Sequence, residues 1–235
     1  MNTSHIVHSA QYALVASLLV FALGICTFFA FEPSVTRSAS INDSFTITQT
    51  ITNEISFRTV VGDVTMVGSI AGLAGGYATG TTSVVINTNN ATGYSMTIHF
   101  ATSTSGRAMQ ASSTAYINDY TQAGAVGVPD YNWADNTTGQ AAEFGYTVLA
   151  SSTTEIDQSF LNNGTVCNSA GGSQTSDKCW LNPTTTPETI INAPIANGSS
   201  TSTIKFKVAV PNAPSPALPS GSYIATGILT ATTNP

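Results

Sequence analysis

Residues 44–58, SFTITQTITNEISFR, alternate between apolar and polar side chains more strictly than any other stretch of the chain. The large apolar side chains all lie at odd positions, and the even positions carry Thr, Ser, Glu and Arg. Because successive side chains of an extended strand point to opposite faces, this pattern predicts one amphipathic strand about 40 Å long. Its apolar face consists of Phe45, Ile47, Ile51, Ile55 and Phe57.

This strand needs a groove in which to bury its apolar face, and the sequence leaves two grooves open to it. Strands in globular domains usually run for about 5 or 6 residues, so a strand of about 13 is long enough to serve another subunit. The same strand can instead pair within its own chain, as the first strand of a complete sandwich. The first arrangement predicts a donor strand that links subunits, and the second predicts a self-contained domain.

The composition predicts a folded, charge-poor protein with one main domain. The chain has 235 residues, 42% of them hydrophobic and only 8% charged, and a formal net charge of -6. Nucleic-acid binding requires a cationic surface, so we expect no nucleic-acid partner. A surface solvated mainly by Thr, Ser, Asn and Gly is typical of extracellular surface and fimbrial proteins.

The N-terminal 40 residues predict export. Residues 12–31 form about 20 nearly uninterrupted apolar residues, the length of a hydrophobic helix in a signal peptide or membrane anchor. Ser38 and Ser40 supply small residues for cleavage before Ile41, and both outcomes stay open. We therefore divide the chain into an export segment (1–40), an amphipathic strand (41–60) and a sandwich domain (61–235). The protein would lie outside the cell or on its surface, touching a membrane only through residues 12–31 if these are not cleaved.

The alternation of apolar and polar residues recurs at residues 94–100, 144–148 and 204–210, and residues 222–232 are predicted as a final strand. Turn signals rich in Gly, Asn and Pro separate these runs. No helix is predicted after residue 31, although residues 155–166 have weak helical or irregular character. We predict seven to nine strands and an all-β fold, an antiparallel two-sheet sandwich.

Two of the three cysteines, Cys167 and Cys179, flank the Gly- and Ser-rich loop CNSAGGSQTSDKC. In an exported protein such a pair predicts a disulfide, which for a loop of this length stabilises by about 3 kcal/mol in the chain-entropy model. A metal site would need further Cys or His ligands nearby, and the sequence has none there.

The sequence contains no recognisable catalytic constellation. The only histidine of the predicted domain, His99, lies in the middle of a strand, and the nucleophile elbow of hydrolases is missing. Acids that could form a glycosidase pair are equally expected as solubilising loop residues: Asp119, Asp130, Asp135 and Glu143. We expect no enzymatic activity, no catalytic residues, no cofactor and no metal. Sequons for N-glycosylation begin at Asn42, Asn90, Asn136, Asn163 and Asn197.

Four aromatic residues lie in the irregular middle of the chain and are candidates for surface binding: Tyr116, Tyr120, Tyr131 and Trp133. Aromatic side chains provide contact area at low entropic cost, and they suit the recognition of host or cell-surface glycans. The same four residues can instead belong to the core.

The order of several short motifs resembles that of spore-coat-U-like and related fimbrial subunits, and of Thr/Asn-rich exported β-sandwich proteins of small-genome bacteria. The motifs are GYSMTIHF (93–100), GRAMQ (106–110), YINDY (116–120), YNWAD (131–135) and PSGSYIATGILTATTNP (219–235). In the fimbrial families, an immunoglobulin-like sandwich lacks one strand, and the N-terminal extension of the next subunit fills the groove. The resemblance implies that the apolar residues of 45–57 match the alternating positions of that donor strand.

Together, the pattern and the resemblance predict a structural subunit of an extracellular, pilus-like filament or a surface layer. Its partner would be further copies of the same chain, joined by strand exchange through residues 41–58. The alternative is a monomeric, surface-displayed adhesin or glycan-binding sandwich.

Overall fold

The computed structural model describes residues 3–30, 43–133, 140–195 and 199–235. The chain divides into two compact units, Met1–Thr50 and Ile51–Pro235. In the first unit, helix α1 spans Thr3–Ala30, and its large apolar side chains between residues 12 and 25 are exposed. Within the described residues, no helix is both long and apolar enough to cross a membrane.

The described part of the second unit contains eleven strands in two sheets. They are β1 (Ile55–Thr59), β2 (Ile70–Ala71), β3 (Gly75–Thr88), β4 (Tyr94–Phe100), β5 (Met109–Gln110), β6 (Tyr116–Asp119), β7 (Glu143–Ala150), β8 (Glu188–Ala193), β9 (Ser200–Val210), β10 (Ile224–Ala225) and β11 (Gly227–Thr233). One short 3-10 helix, Gln158–Phe160, precedes the disulfide loop. The predicted β architecture with two sheets is therefore confirmed.

The large sheet has the strand order β1-β3-β9-β7-β6-β5-β10, with β2 paired to β3 beside this path. Its pairs are antiparallel except for β6 and β7, which run parallel. A parallel pair requires a crossover of about a dozen residues or more, and the chain between β6 and β7 is long enough to provide one. The expectation of a wholly antiparallel sandwich is corrected at this pair.

The small sheet has the strand order β11-β4-β8, and β4 shows why it packs against the large sheet. Tyr94, Met96, Ile98 and Phe100 are buried, whereas the polar residues between them are half-buried on the opposite face. The buried face of β4 meets the apolar face of β7, where the Phe100 ring contacts those of two β7 aromatic residues. The hydrophobic core thus lies between the two sheets.

The predicted disulfide between Cys167 and Cys179 is present, and both cysteines are buried. Asn162, which precedes the disulfide loop in the sequence, exchanges two backbone hydrogen bonds with Ser173 inside the loop. Trp180 follows the bridge directly and is buried. The bridge therefore fixes a Gly- and Ser-rich segment on the body of the domain.

The predicted strand over residues 44–58 is shorter than its pattern suggests. Only Ile55–Thr59 form a strand, β1, which pairs antiparallel with the end of β3. Residues 43–54 form no strand. Alternation shows that a segment can form a strand, but a strand also needs a neighbouring strand to satisfy its backbone groups. Among the described residues, none forms a strand ladder with residues 43–54.

Candidate functional site

Residues 43–54, hereafter the arm, carry the most exposed part of the predicted apolar face. Phe45, Ile47 and Ile51 are 84%, 83% and 80% exposed, respectively. Single exposed apolar residues are normal on protein surfaces, but three at alternating positions of one unpaired segment are an unusual concentration. The arm therefore carries three large apolar side chains that are almost fully exposed.

The remaining two residues of the predicted face belong to β1. Ile55 is half-buried and packs against the core, while Phe57 is 39% exposed. In the register of β1 and β3, Ile55 lies opposite Thr88 and Phe57 opposite Ile86. The predicted donor face is therefore divided between the exposed arm and a strand that pairs within the chain.

Side chains at the end of β3 hold the root of the arm. Asn89 accepts a hydrogen bond from the Glu54 backbone N–H (2.7 Å) and donates one to the Thr52 carbonyl (3.1 Å). The Thr88 hydroxyl donates to the Glu54 carbonyl at 2.6 Å. These three contacts fix residues 52–54 where the arm joins the sandwich.

Strand β11 lies at the end of the small sheet, with β4 on one side. Among the described residues, none pairs with its other edge. Such an edge has backbone N–H and C=O groups that can bond a further strand, and β1 of the same chain lies next to part of it. At the opposite end of the sheet, residues 155–157 cover β8: the Asp157 N–H donates to the Ile190 carbonyl, and the Asn192 N–H donates to the Glu155 carbonyl.

A cavity of about 550 Å³, hereafter the cleft, opens between residues 61–66 and the chain leading into β11. Its floor consists of core residues from both sheets, namely Ile98, Phe100, Phe144, Ile204 and Phe206. Residues 222–227 and Leu229 form the wall on the β11 side. The unpaired edge of β11 thus adjoins an apolar space that reaches the core.

A second cavity, of about 490 Å³, extends the apolar opening along the sandwich. Met66, Met109 and Tyr223 line both cavities. The second cavity continues to Leu73 and Leu218, and the Tyr223 hydroxyl donates to the Pro219 carbonyl at 2.8 Å. The two cavities are therefore neighbours, with these three shared side chains between them.

Two of the four aromatic residues that we predicted for surface binding are buried. Trp133 stacks on Tyr120 with ring centroids 4.2 Å apart and meets Trp180 edge-on at 5.3 Å. A side chain at Gly145 of β7 would place its Cβ only 2.9 Å from the Trp133 ring, so glycine lets the ring lie directly on the strand. This part of the prediction is corrected, because Tyr120 and Trp133 cover the outer face of β7.

Tyr116 and Tyr131 are half-buried and lie on different segments. Tyr116 begins β6, whereas the Tyr131 ring faces the ammonium group of Lys178 at 4.6 Å. Lys178 also donates to the Asn132 side chain at 2.5 Å. Neither tyrosine joins the other in an exposed aromatic surface.

The acids considered for glycosidase chemistry all have local partners where they are described, and Asp135 lies outside the described residues. Asp119 accepts a hydrogen bond from the Ala108 N–H and lies 4.0 Å from Arg107; burial raises its pKa against the opposing effects of these two contacts. Asp130 accepts from the Tyr120 hydroxyl, and Glu143 accepts from the Thr121 N–H. These contacts give each acid a local role in holding loops.

His99 is half-buried on β4, opposite Ile228 of β11. Its Nδ1 has no hydrogen-bond partner among the described residues. The His99 imidazole is therefore not oriented by a carboxylate at this atom, as the base of a catalytic triad would be.

Sequence reasoning identified the arm but not the cleft. The walls of the cleft come from residues 61–66, 222–227 and Leu229, which are far apart in the sequence. A local pattern cannot show that two distant segments leave a gap between the sheets. A comparison of the chain with protein-family models, curated proteins and solved structures finds no match.

Proposed function

We propose that this protein is a structural subunit of an extracellular, pilus-like filament or surface layer, and that its subunits are joined by strand exchange. The arm of one copy would lie along β11 of the next copy and fill the cleft there. The sandwich would act as an immunoglobulin-like acceptor, and residues 1–40 would direct export.

The observation that carries this proposal is the exposed, alternating face of the arm. Phe45, Ile47 and Ile51 are each at least 80% exposed in the single chain. Burying each of them would contribute about 1.5–3 kcal/mol, or roughly 5–9 kcal/mol together. A partner surface that buries these three side chains is the simplest account of their pattern.

The acceptor side offers what such a segment needs. Adding a strand to a free sheet edge supplies backbone hydrogen bonds, and apolar pockets beside the edge receive alternate side chains. β11 provides the edge and the cleft provides the pocket. The twelve residues of the arm, 43–54, span about 40 Å when fully extended. The arm is therefore longer than β11, which has seven residues.

The head-to-tail direction of strand exchange predicts an open-ended polymer. Donor and acceptor are different surfaces of one subunit, so each added copy leaves one arm and one cleft unfilled at the two ends. Contacts of this heterologous kind build filaments when the rotation between subunits does not close a ring. The disulfide supports the proposed location, because such bridges persist in oxidising, extracellular environments.

The test of the donor uses two variants with the same charge on opposite faces of the arm. Ile51→Asp places a carboxylate in the apolar face, and Thr48→Asp places one on the polar face. We expect Ile51→Asp to abolish filaments in electron micrographs and SDS-resistant ladders on gels, and Thr48→Asp to retain both. Filaments that are equally abundant in both variants would rule out this donor.

The test of the acceptor applies the same logic to β11. Leu229 lines the cleft, whereas Thr230 is exposed on the strand. Leu229→Asp should prevent assembly with wild-type arms, and Thr230→Asp should permit it. If wild-type protein instead remains monomeric at high concentration and binds a glycan array, the alternative function as an adhesin would replace this proposal.

A further inference from the structure

The turn between β3 and β4 binds the arm on one side and the end of β11 on the other. Asn89 and Thr88 hold residues 52–54, as described above. The next residue, Asn90, is only 3% exposed, and its amide donates to the carbonyls of Asn234 (2.7 Å) and Gly93 (2.8 Å). Adjacent residues of one turn therefore hold the proposed donor segment and the residue that follows the proposed acceptor strand.

Asn234 reinforces the second set of contacts. Its backbone N–H donates to the Gly93 carbonyl at 3.1 Å, and its side chain donates to the carbonyls of Thr92 (2.9 Å) and Ala193 (3.1 Å). Because Asn234 follows β11 immediately along the chain, these bonds fix the end of that strand. The small sheet and the turn thus share one polar network.

The turn itself has little room to move. Gly93 has a φ of 79°, and a Cβ at this position would lie only 2.0 Å from the Ala193 carbonyl oxygen. A hydrogen bond from the Gly93 N–H to the Asn90 carbonyl (2.9 Å) closes the turn. The turn is pressed against the end of β8, so the arm and β11 are attached to a rigid element.

We infer that the turn at residues 88–93 is a positioning element, in which Asn89 holds the root of the arm, residues 52–54, on the same turn that holds the end of β11. This inference rests on the proposed strand exchange. Each subunit receives one arm at β11 and donates its own arm from Asn89. The turn therefore connects consecutive joints, and its contacts set the geometry with which one joint follows the next.

The test uses Asn89→Ala, with Asn87→Ala as its matched control. Asn87 is an exposed residue of β3 two positions away, opposite Ser56. Losing the two Asn89 hydrogen bonds should raise the population of the unclamped root about fivefold. The Glu54 amide loses its acceptor in this variant, so its hydrogen exchange should approach that of an unprotected amide, while the melting temperature of the monomer stays that of the Asn87→Ala variant. The variant Asn89→Asp, which keeps the acceptor for Glu54 but loses the donor to Thr52, should give an intermediate rate.

The filament readout separates a positioning role from local stability. Filaments of Asn89→Ala should form but bend more, with a shorter persistence length in electron micrographs than those of Asn87→Ala. Filaments of equal stiffness, or an unprotected Glu54 amide in the wild-type protein, would overturn the inference while leaving strand exchange intact. If the wild-type protein forms no filaments, the proposed function fails, and the inference fails with it.

Discussion

Replacing Trp133 with alanine provides a direct test of the buried aromatic cluster. The Trp133 ring is 7% exposed and lies between Tyr120 and Trp180, with the Lys207 ammonium 4.7 Å from the ring centroid. Its indole N–H has no acceptor among the described residues, so the substitution would remove packing without breaking a known hydrogen bond.

The expected magnitude follows from these contacts. Removing a buried tryptophan side chain costs about 3–5 kcal/mol, which includes the cavity that it leaves. Each aromatic pair contributes roughly 0.5–1.5 kcal/mol beyond its buried area, so the two ring contacts place Trp133 towards the upper end. For a domain of this size the melting temperature should fall by roughly 10 °C.

Urea denaturation measures this loss, and the composition of the chain simplifies the assay. The protein has two tryptophans, so Trp180 is the only fluorescent tryptophan in the Trp133→Ala variant. Tyr131→Ala is the control, because this half-buried ring faces Lys178 and should contribute only about 1–2 kcal/mol. A Trp133→Ala variant with wild-type stability but without glycan binding would refute the buried cluster and restore the surface role.

Three further changes have defined outcomes. Gly145→Ala should lower the free energy of unfolding by about 1–3 kcal/mol, because its Cβ would press on Trp133 and a carbonyl. Gly124→Ala is the control, since its Cβ would lie 3.5 Å from its nearest neighbour. Equal melting temperatures of the two variants would contradict this account. The paired substitutions Cys167→Ser and Cys179→Ser should lower the free energy of unfolding by about 3 kcal/mol in denaturant titrations, whereas a loss below about 1 kcal/mol would mean that the loop is held without the bridge. Burial, together with the charge of nearby Asp157, raises the pKa of Glu188. The folded state therefore binds the proton of the Glu188 carboxyl group more tightly than the unfolded state does. Stability should therefore fall as the pH rises from below the unfolded pKa through the folded pKa; Glu188→Gln should reduce this slope, and an unchanged slope would assign it to other groups.

Alternation predicted the strands that have one face on the core. β4 is the clearest case, because its apolar residues from Tyr94 to Phe100 are all buried and the polar residues between them are not. The long strand β9 shows the same correspondence at Ile204, Val208 and Val210, whereas its first buried residues, Ser200 and Ser202, are polar. In both strands a period of two in the sequence directly reflects burial of one face.

Three strands, β2, β5 and β10, have only two residues each, too few to show any alternation. They account for the excess over the predicted seven to nine strands. The parallel pairing of β6 with β7 also has no local signal, because it depends on the path of the chain between them. Such pairings are decided by contacts between distant residues.

The candidate surface aromatics show where residue type alone misleads. Tyr120 and Trp133 lie in an irregular segment, which is usually exposed, yet this segment folds over β7. One signal was available in the sequence: Gly145 lies inside a strand, where a glycine often marks the close approach of another group. The cleft offered no comparable signal, since a gap between sheets is a property of their arrangement.

The burial of Asn90 also affects how the protein can be made. Asn90 begins the sequon Asn90-Ala91-Thr92, and its side-chain nitrogen, the atom to which a glycan would be attached, already donates hydrogen bonds inside the turn. A sugar on this atom is incompatible with the folded hairpin, so glycosylation there can happen only before the turn closes. A host that glycosylates chains during translocation would trap part of its product as a modified, unfolded form. Expression in a host without N-glycosylation avoids that competition between modification and folding, and it keeps the Asn90 amide that donates to the Gly93 and Asn234 carbonyls.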